Sequence, residues 1–311
     1  MVRARRRTRS VLGRQLAGAA AGLVLDRSLG ELPVDPHPVA AFGRAMSAVE
    51  RLLWDDGRRA GLRYTTVGVT TGLVAGQLVG STAAATYVSV AGRMLGDTAL
   101  RISKCLERGD LDAARRELPS LVGRDPTRLD ETEISRAVVE SVAENTVDAI
   151  VAPACWGAVG GAPAVLAHRA ANTMDAMVGH HSKRYEHFGW ASARLDDILN
   201  WVPARLTAGL VMGARPSAAA AVRRVVRHDA SAHPSPNAGV AEAAFAAALG
   251  VRLGGVNRYG ERVERRASLG EGRTPKADDI SRAVQLSNDV ARLLATFLAV
   301  SAAVVMMGRR S

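Results

Sequence analysis

Four short segments place carboxylates, amides and basic groups at spacings that suit chemistry on charged substrates. In DETEISRAVVESVAENTVD, residues 130–148, Glu140, Glu144 and Asp148 recur every fourth residue with Asn145 beside them. Helical spacing stacks like charges on one face, which costs an isolated helix roughly 0.2–0.5 kcal/mol per pair. A metal cation or a substrate ammonium would relieve that repulsion, and so would pairing with Arg136 on a merely solvated face.

In ANTMDAMVGHHSKRYEHFG, residues 171–189, Asn172 and Asp175 share a helix face, and His180, His181, Lys183, Arg184 and Tyr185 follow Gly179. Lysine and arginine donate charge-assisted hydrogen bonds to phosphoryl oxygens, so this reads as a phosphate grip or as basic residues meeting lipid headgroups. ARLDDILNWVPARLTA, residues 193–208, sets Asp196, Asp197 and Asn200 within about one helical turn, between Arg194 and Arg205. Hard oxygens so placed suit magnesium, which is held by one or two carboxylates plus phosphate oxygens. The two arginines would clamp a phosphate or neutralise the aspartates. HPSPNAGVAEAA adds His233, Ser235, Asn237 and Glu242 where a helix starts and free backbone amides favour an anion. A cap without ligand explains that segment equally well. The sequence has no GxxxxGK[ST] phosphate loop, GxGxxG turn, HExxH or GxSxG, so any nucleotide needs an unusual site.

The elements that must hold these residues read as helices with apolar, uncharged runs. Residues 64–92 carry no charge and, at about 1.5 Å per residue, would span roughly 43 Å, more than a hydrocarbon core. They are expected to form one tilted transmembrane helix, with Gly68, Gly72, Gly76 and Gly80 giving it a bare face for another backbone. Further spans are expected near residues 149–167, 198–214 and 293–308, and residues 236–251 are a weaker candidate. Arginines 3, 5, 6, 7 and 9 in the tail of residues 1–15, with Arg309 and Arg310 at the other end, favour both termini in the cytoplasm and an even number of spans, most simply four. A signal peptide built on the N-terminal arginines and the short apolar stretch 16–25 is not expected, because Arg14 and Gln15 break its apolar middle and no small-x-small cleavage site follows Asp26. Three prolines around His37 predict an ordered loop before a helix. No β-alternation is evident. The expected fold is all-α, a single polytopic membrane domain over residues 1–311 with cytoplasmic helical loops.

Net charge is +11, yet only three of the 41 basic residues are lysine, and four phenylalanines and four tyrosines offer little surface for stacking bases. Nucleic acid is therefore excluded as partner, and anionic lipid explains the basic balance. Cys105 and Cys155 stand far apart, without a CxxC that would suggest a disulfide framework or a thiolate zinc site.

Together VGRDPTRLDETEISRAVVESVAENTVDAIVAP, NTMDAMVG, RYEHFGWASARLDDILNWVPARLTA, HPSPNAGVAEAAFAAALGVRLGG and the earlier DPHPVAAFGR resemble the cobalamin-biosynthesis CobD/CbiB family, in consistent order from about Leu25 to Tyr259. The resemblance implies a multi-pass protein of the cytoplasmic membrane, with its site on the cytoplasmic side. It implies an adenosylcobinamide-phosphate synthase, which joins aminopropanol or its phosphate to a propionate carboxyl of adenosylcobyric acid by amide ligation, using ATP and magnesium. On that footing Glu140, Glu144, Asn145, Asp148, Asp175 and His233 are expected to carry catalysis, and Asp196, Asp197 and Asn200 to hold the metal. Asn172, Lys183, Arg184, Tyr185, Arg194, Arg205, Ser235 and Asn237 are expected to bind substrate or phosphate. The chain departs from the family pattern at Pro126, Ala149, Ala176 and the pair His180 and His181. Besides lipid, a second copy and other membrane enzymes of the pathway are candidate partners. The competing readings are a corrinoid-binding or AmpE-like sensor without catalysis and a magnesium-dependent prenyltransferase, for which Asn200 stands where a third carboxylate is needed.

Overall fold

The computed structural model describes residues 2–180, 182–259 and 262–308; the expectations resting on His181, Arg309 and Arg310 fall outside these residues, as do the side chains of the N-terminal arginines. The described chain is mostly helical and divides into two compact units. The first holds residues 1–91, 148–200 and 294–311, and the second holds residues 92–147 and 201–293.

In the first unit, helices α1 (Val2–Leu29), α2 (Pro38–Leu53), α3 (Arg58–Val79) and α4 (Thr82–Ser89) gather around α8 (Ala152–Met174). His37 caps α2 through Nδ1, which accepts the Val39 amide at 3.3 Å, as the proline-rich loop leads one to expect. The long span expected over residues 64–92 is instead two helices. Gly80 stops α3 in the left-handed region at φ 63°, and the Ser81 hydroxyl caps α4 by accepting the Ala84 amide. The glycine face does admit a neighbouring backbone: a Cβ at Gly76 would lie 2.3 Å from Pro163 Cα, and one at Gly72 2.5 Å from the Leu166 carbonyl oxygen. A second contact layer joins Met46, Tyr64, Met174, Val178 and Phe188, with the Tyr64 and Phe188 rings 5.1 Å apart.

The second unit contains α5 (Gly92–Glu107), α6 (Leu111–Glu117), α7 (Glu131–Thr146), α10 (Ala219–Asp229) and α11 (Ala238–Leu249). It also holds parts of α9 (Trp190–Ala214) and α12 (Ala277–Met307). Asp130 and Glu133 close a capping box that starts α7. The reading without β-structure is corrected here: β1 (Leu253–Tyr259) and β2 (Arg262–Leu269) form an antiparallel hairpin. Glycines and arginines dilute any apolar alternation in these strands, and backbone pairing, from Val256 with Arg265 to Tyr259 with Arg262, makes the sheet. Gly254 is at φ 80°, where a Cβ would sit 2.0 Å from the Ala267 carbonyl oxygen.

Two helices among the described residues are long and apolar enough to cross a membrane. One is the continuous helix Glu131–Gly179, whose apolar window is 61% buried inside the protein; the other is Ala277–Met307, with 22% buried. The first includes the expected run 149–167 and the second most of 293–308, whereas α3 and the expected span at 198–214 do not reach that hydropathy over the needed length.

Candidate functional site

In the second unit α7 carries Arg136, Glu140 and Glu144, α11 carries Glu242, and the turn before α11 carries His233. The α7 face is selected by the four-residue spacing, but its charges are not equivalent. Glu140 is 2% exposed and fully engaged: one oxygen accepts from Arg124, the other from the Gly254 amide at 2.7 Å, and Arg136 lies 3.8 Å away. Arg136 in turn donates to the carbonyls of Gly254 and Val256, which docks β1 on α7. Glu144 is exposed to solvent, with Arg266, Arg124 and Glu140 as its charged neighbours. Glu242 is 1% exposed, and neither of its carboxylate oxygens has a hydrogen-bond partner. His233 Nε2 lies 3.5 Å from Glu242 Oε1 and 3.2 Å from Arg266 Nη1.

Burial, reinforced by the charges of Glu140 and Glu144, pushes the Glu242 carboxyl well above the usual carboxylate range. Burial and the Arg266 guanidinium lower His233, so the imidazole is neutral near pH 7. The Nδ1 atom accepts the Ser235 amide at 3.0 Å. The Ser235 hydroxyl accepts the amides of Asn237 and Ala238, doing the capping work, and the Asn237 carbonyl oxygen takes a 2.9 Å hydrogen bond from Arg205. This cluster can hold a cation against carboxylates that ion pairing leaves incompletely compensated, and it can move a proton.

The first unit has its own polar cluster where α8 faces the start of α9. Asp196 accepts from both flanking amides, Asn172 at 3.3 Å and Asn200 at 2.9 Å. Because both asparagines turn their N–H groups to Asp196, their oxygens face outward: Asn172 accepts from Arg169 at 3.3 Å and Asn200 from His168 Nε2 at 2.9 Å. His168 Nδ1 and Arg169 Nε are then buried without a hydrogen-bond partner. Asp148, expected on the same face as Glu140 and Glu144, lies in a π-helical turn at Val147–Val151 that breaks the four-residue spacing, and its charge acts on Arg169 together with that of Glu31. A cavity of about 310 Å³ opens beside Arg169, lined by Val39, Phe42, Ala75, Val88 and Leu166.

The other expected residues take more peripheral places. Asp175 opens the π-helical turn Asp175–Gly179, its carboxylate lying over Gly179. Arg184 pairs with Glu50 at 3.1 Å and stacks on Trp54, and the Tyr185 hydroxyl donates to the same Glu50 at 2.8 Å. Lys183 is exposed, the exposed Arg194 acts on the charge of Asp197, and the Asn145 amide bonds back to the Ser141 carbonyl. Among the described residues no three His, Cys, Asp or Glu side chains converge as a metal cage. Asp196 offers one carboxylate whose two oxygens already accept asparagine N–H groups, so a magnesium ion there would have to draw its other ligands from phosphate and water.

Residues 19–287 match the family described as CobD/Cbib protein. The chain belongs to the CobD/CbiB family. Similar CobD/CbiB relatives, each named "Cobalamin biosynthesis protein CobD", come from Mycobacterium bovis, Mycobacterium tuberculosis (strain CDC 1551 / Oshkosh) and Geobacter metallireducens. The first is 48% identical over 90% of this chain and 94% of its own. The second is 49% identical over 88% and 91%, and the third 42% over 76% and 80%. No solved structure matches the chain. The matched region of the CobD/CbiB family contains both polar clusters, including members that sequence reasoning passed over: Arg124, Arg266, His168 and Arg169. Arg124 sits in the VGRDP turn and Arg266 in an arginine-rich strand, where spacing gives no sign of a distant carboxylate.

Proposed function

We propose that this CobD/CbiB family member acts in cobalamin biosynthesis as adenosylcobinamide-phosphate synthase, joining aminopropanol or its phosphate to a propionate carboxyl of adenosylcobyric acid. The observation that carries this reading is the family match over residues 19–287, shared with relatives that bear the cobalamin-biosynthesis name. ATP and magnesium, when bound, would supply phosphoryl activation of the propionate carboxylate, and Asp196, whose oxygens accept N–H groups from Asn172 and Asn200, is the carboxylate this reading gives to the cation. Arg169, hydrogen-bonded to Asn172, offers positive charge to anionic substrate oxygens in the first unit. The carboxylates of the second unit suit the amine, and the neutral His233 beside Glu242 suits proton transfer.

Seating in the cytoplasmic membrane is part of the same proposal. On α12 the exposed residues Leu293, Phe297, Val300, Val304 and Met307 follow helical spacing along one face, and Leu78 on α3 is 83% exposed. Tryptophans 54, 190 and 201 are exposed and stacked against Arg184, Arg58 and Arg205, the pairing expected at a membrane–water boundary. The test is mass spectrometry of the products formed by detergent-purified protein with adenosylcobyric acid, aminopropanol phosphate, ATP and magnesium. Adenosylcobinamide phosphate formed by the wild type and lost in Asp196→Ala supports the reading; retained corrinoid without product favours a binding role.

A further inference from the structure

Glu242 stands out in the second unit because its carboxylate is 1% exposed and both oxygens lack a hydrogen-bond partner. The charged groups that act on it are Arg136, Glu140 and Glu144 on α7, Arg124 ahead of α7, His233 in the turn before α11 and Arg266 on β2. Several of these charges are spent elsewhere. Arg124 and Arg136 serve Glu140 and the β1 carbonyls, and Arg266 bonds Glu264 at 2.9 Å. Glu242 is thus a buried carboxyl within reach of the charge of Glu144, which meets solvent on α7.

We propose that Glu242 and Glu144 form the subsite for the amino group of a primary-amine substrate, bound as an ammonium ion. This deepens the function proposed above and rests on its amine. An ammonium brings three N–H donors and a positive charge that favour an ionised Glu242 beside Glu144, and the bare Glu242 oxygens accept its N–H groups. Arrival of the cation makes the carboxylate the favoured form of Glu242, and its proton leaves to solvent.

The test is calorimetric titration of the full-length protein in detergent with 1-amino-2-propanol at pH 7, in two buffers of different ionisation enthalpy, beside propane-1,2-diol. The expected result is amine binding without diol binding, accompanied by proton release. Glu242→Gln should weaken the amine about tenfold or more and abolish the release, since a charge-assisted bond is lost. The exposed Glu144→Gln should weaken binding less and keep the release. Equal binding of amine and diol, no proton release by the wild type, or unchanged binding and release in Glu242→Gln would each overturn the subsite. Should Glu242→Gln not fold, the wild-type proton count still decides. Amide product from a protein that fails this test leaves the function standing and moves the amine elsewhere; amine binding that depends on Glu242, without amide product, leaves the subsite and removes the function.

Discussion

Glu140 accepts a 2.7 Å hydrogen bond from the backbone amide of Gly254, tying α7 to the first strand of the hairpin across 114 residues of chain. The same carboxylate takes Arg124, and Arg136 reaches from one helical turn away to the carbonyl of Gly254. A single buried anion thus fixes two arginines and a β-strand, while its neighbours Glu144 and Glu242 keep capacity for something else.

Breaking that node should be costly. Glu140→Ala leaves buried guanidinium groups uncompensated, and removing one partner of a buried pair costs about 3–5 kcal/mol. Thermal unfolding in detergent should show a large drop, whereas Arg184→Ala, which breaks a half-exposed pair with Glu50, should cost about 1 kcal/mol or less. Similar melting of the two variants would contradict the assignment.

Glu242 should lower stability at neutral pH. Its folded-state pKa is raised by burial and by Glu140 and Glu144, so the unfolded chain loses this proton first as pH rises. The destabilisation is absent below the ordinary glutamate value and grows above it until the folded-state pKa is passed. Glu242→Gln, which cannot ionise, should therefore melt higher than wild type at pH 7 and converge with it near pH 4. A gain that is largest in acid would reverse the sign.

The approach of α3 to α8 predicts a steric effect at Gly76. A Cβ there would lie 2.3 Å from Pro163 Cα, so Gly76→Val must push two helices apart, at roughly 1–3 kcal/mol or more. Gly209→Val, on α9 with nothing within 4 Å of the added carbon, is the control and should melt within a few degrees of wild type. Equal losses at both sites would show that helix propensity, not packing, sets the cost.

In the first unit, Asn200→Ala removes a donor to Asp196 and the acceptor for His168 at once. Product formation should fall at least about tenfold, by analogy with the loss of a positioning hydrogen bond at a charged group. Asn200→Asp should not restore it, because a carboxylate cannot donate to Asp196. Full activity in either variant would remove this chain of hydrogen bonds from the mechanism.

Helix starts were largely legible from local chemistry: the proline loop with His37 and the cap at Ser235 both depend on neighbours within a few residues. The family was legible too, since its motifs are contiguous strings. The break at Gly80 was hidden because an uncharged run looks the same whether it is one helix or two, and only the left-handed φ of that glycine ends the first. The hairpin was hidden because its pairing runs through backbone groups that every sequence has.

The order of residues decided which side chains share a helix face, and so placed Glu140 with Glu144 and Asp196 with Asn200, because a helix repeats every 3.6 residues whatever surrounds it. Folding decided what each charge means. Glu140 is neutralised by Arg124 and by a strand that sequence cannot bring near, Glu242 is buried beside it without hydrogen bonds, and Asp148 is turned to Arg169 by an extra residue in a π-helical turn. Compensation of a charge depends on distance through space and on exclusion of water, and neither is a property of spacing along the chain.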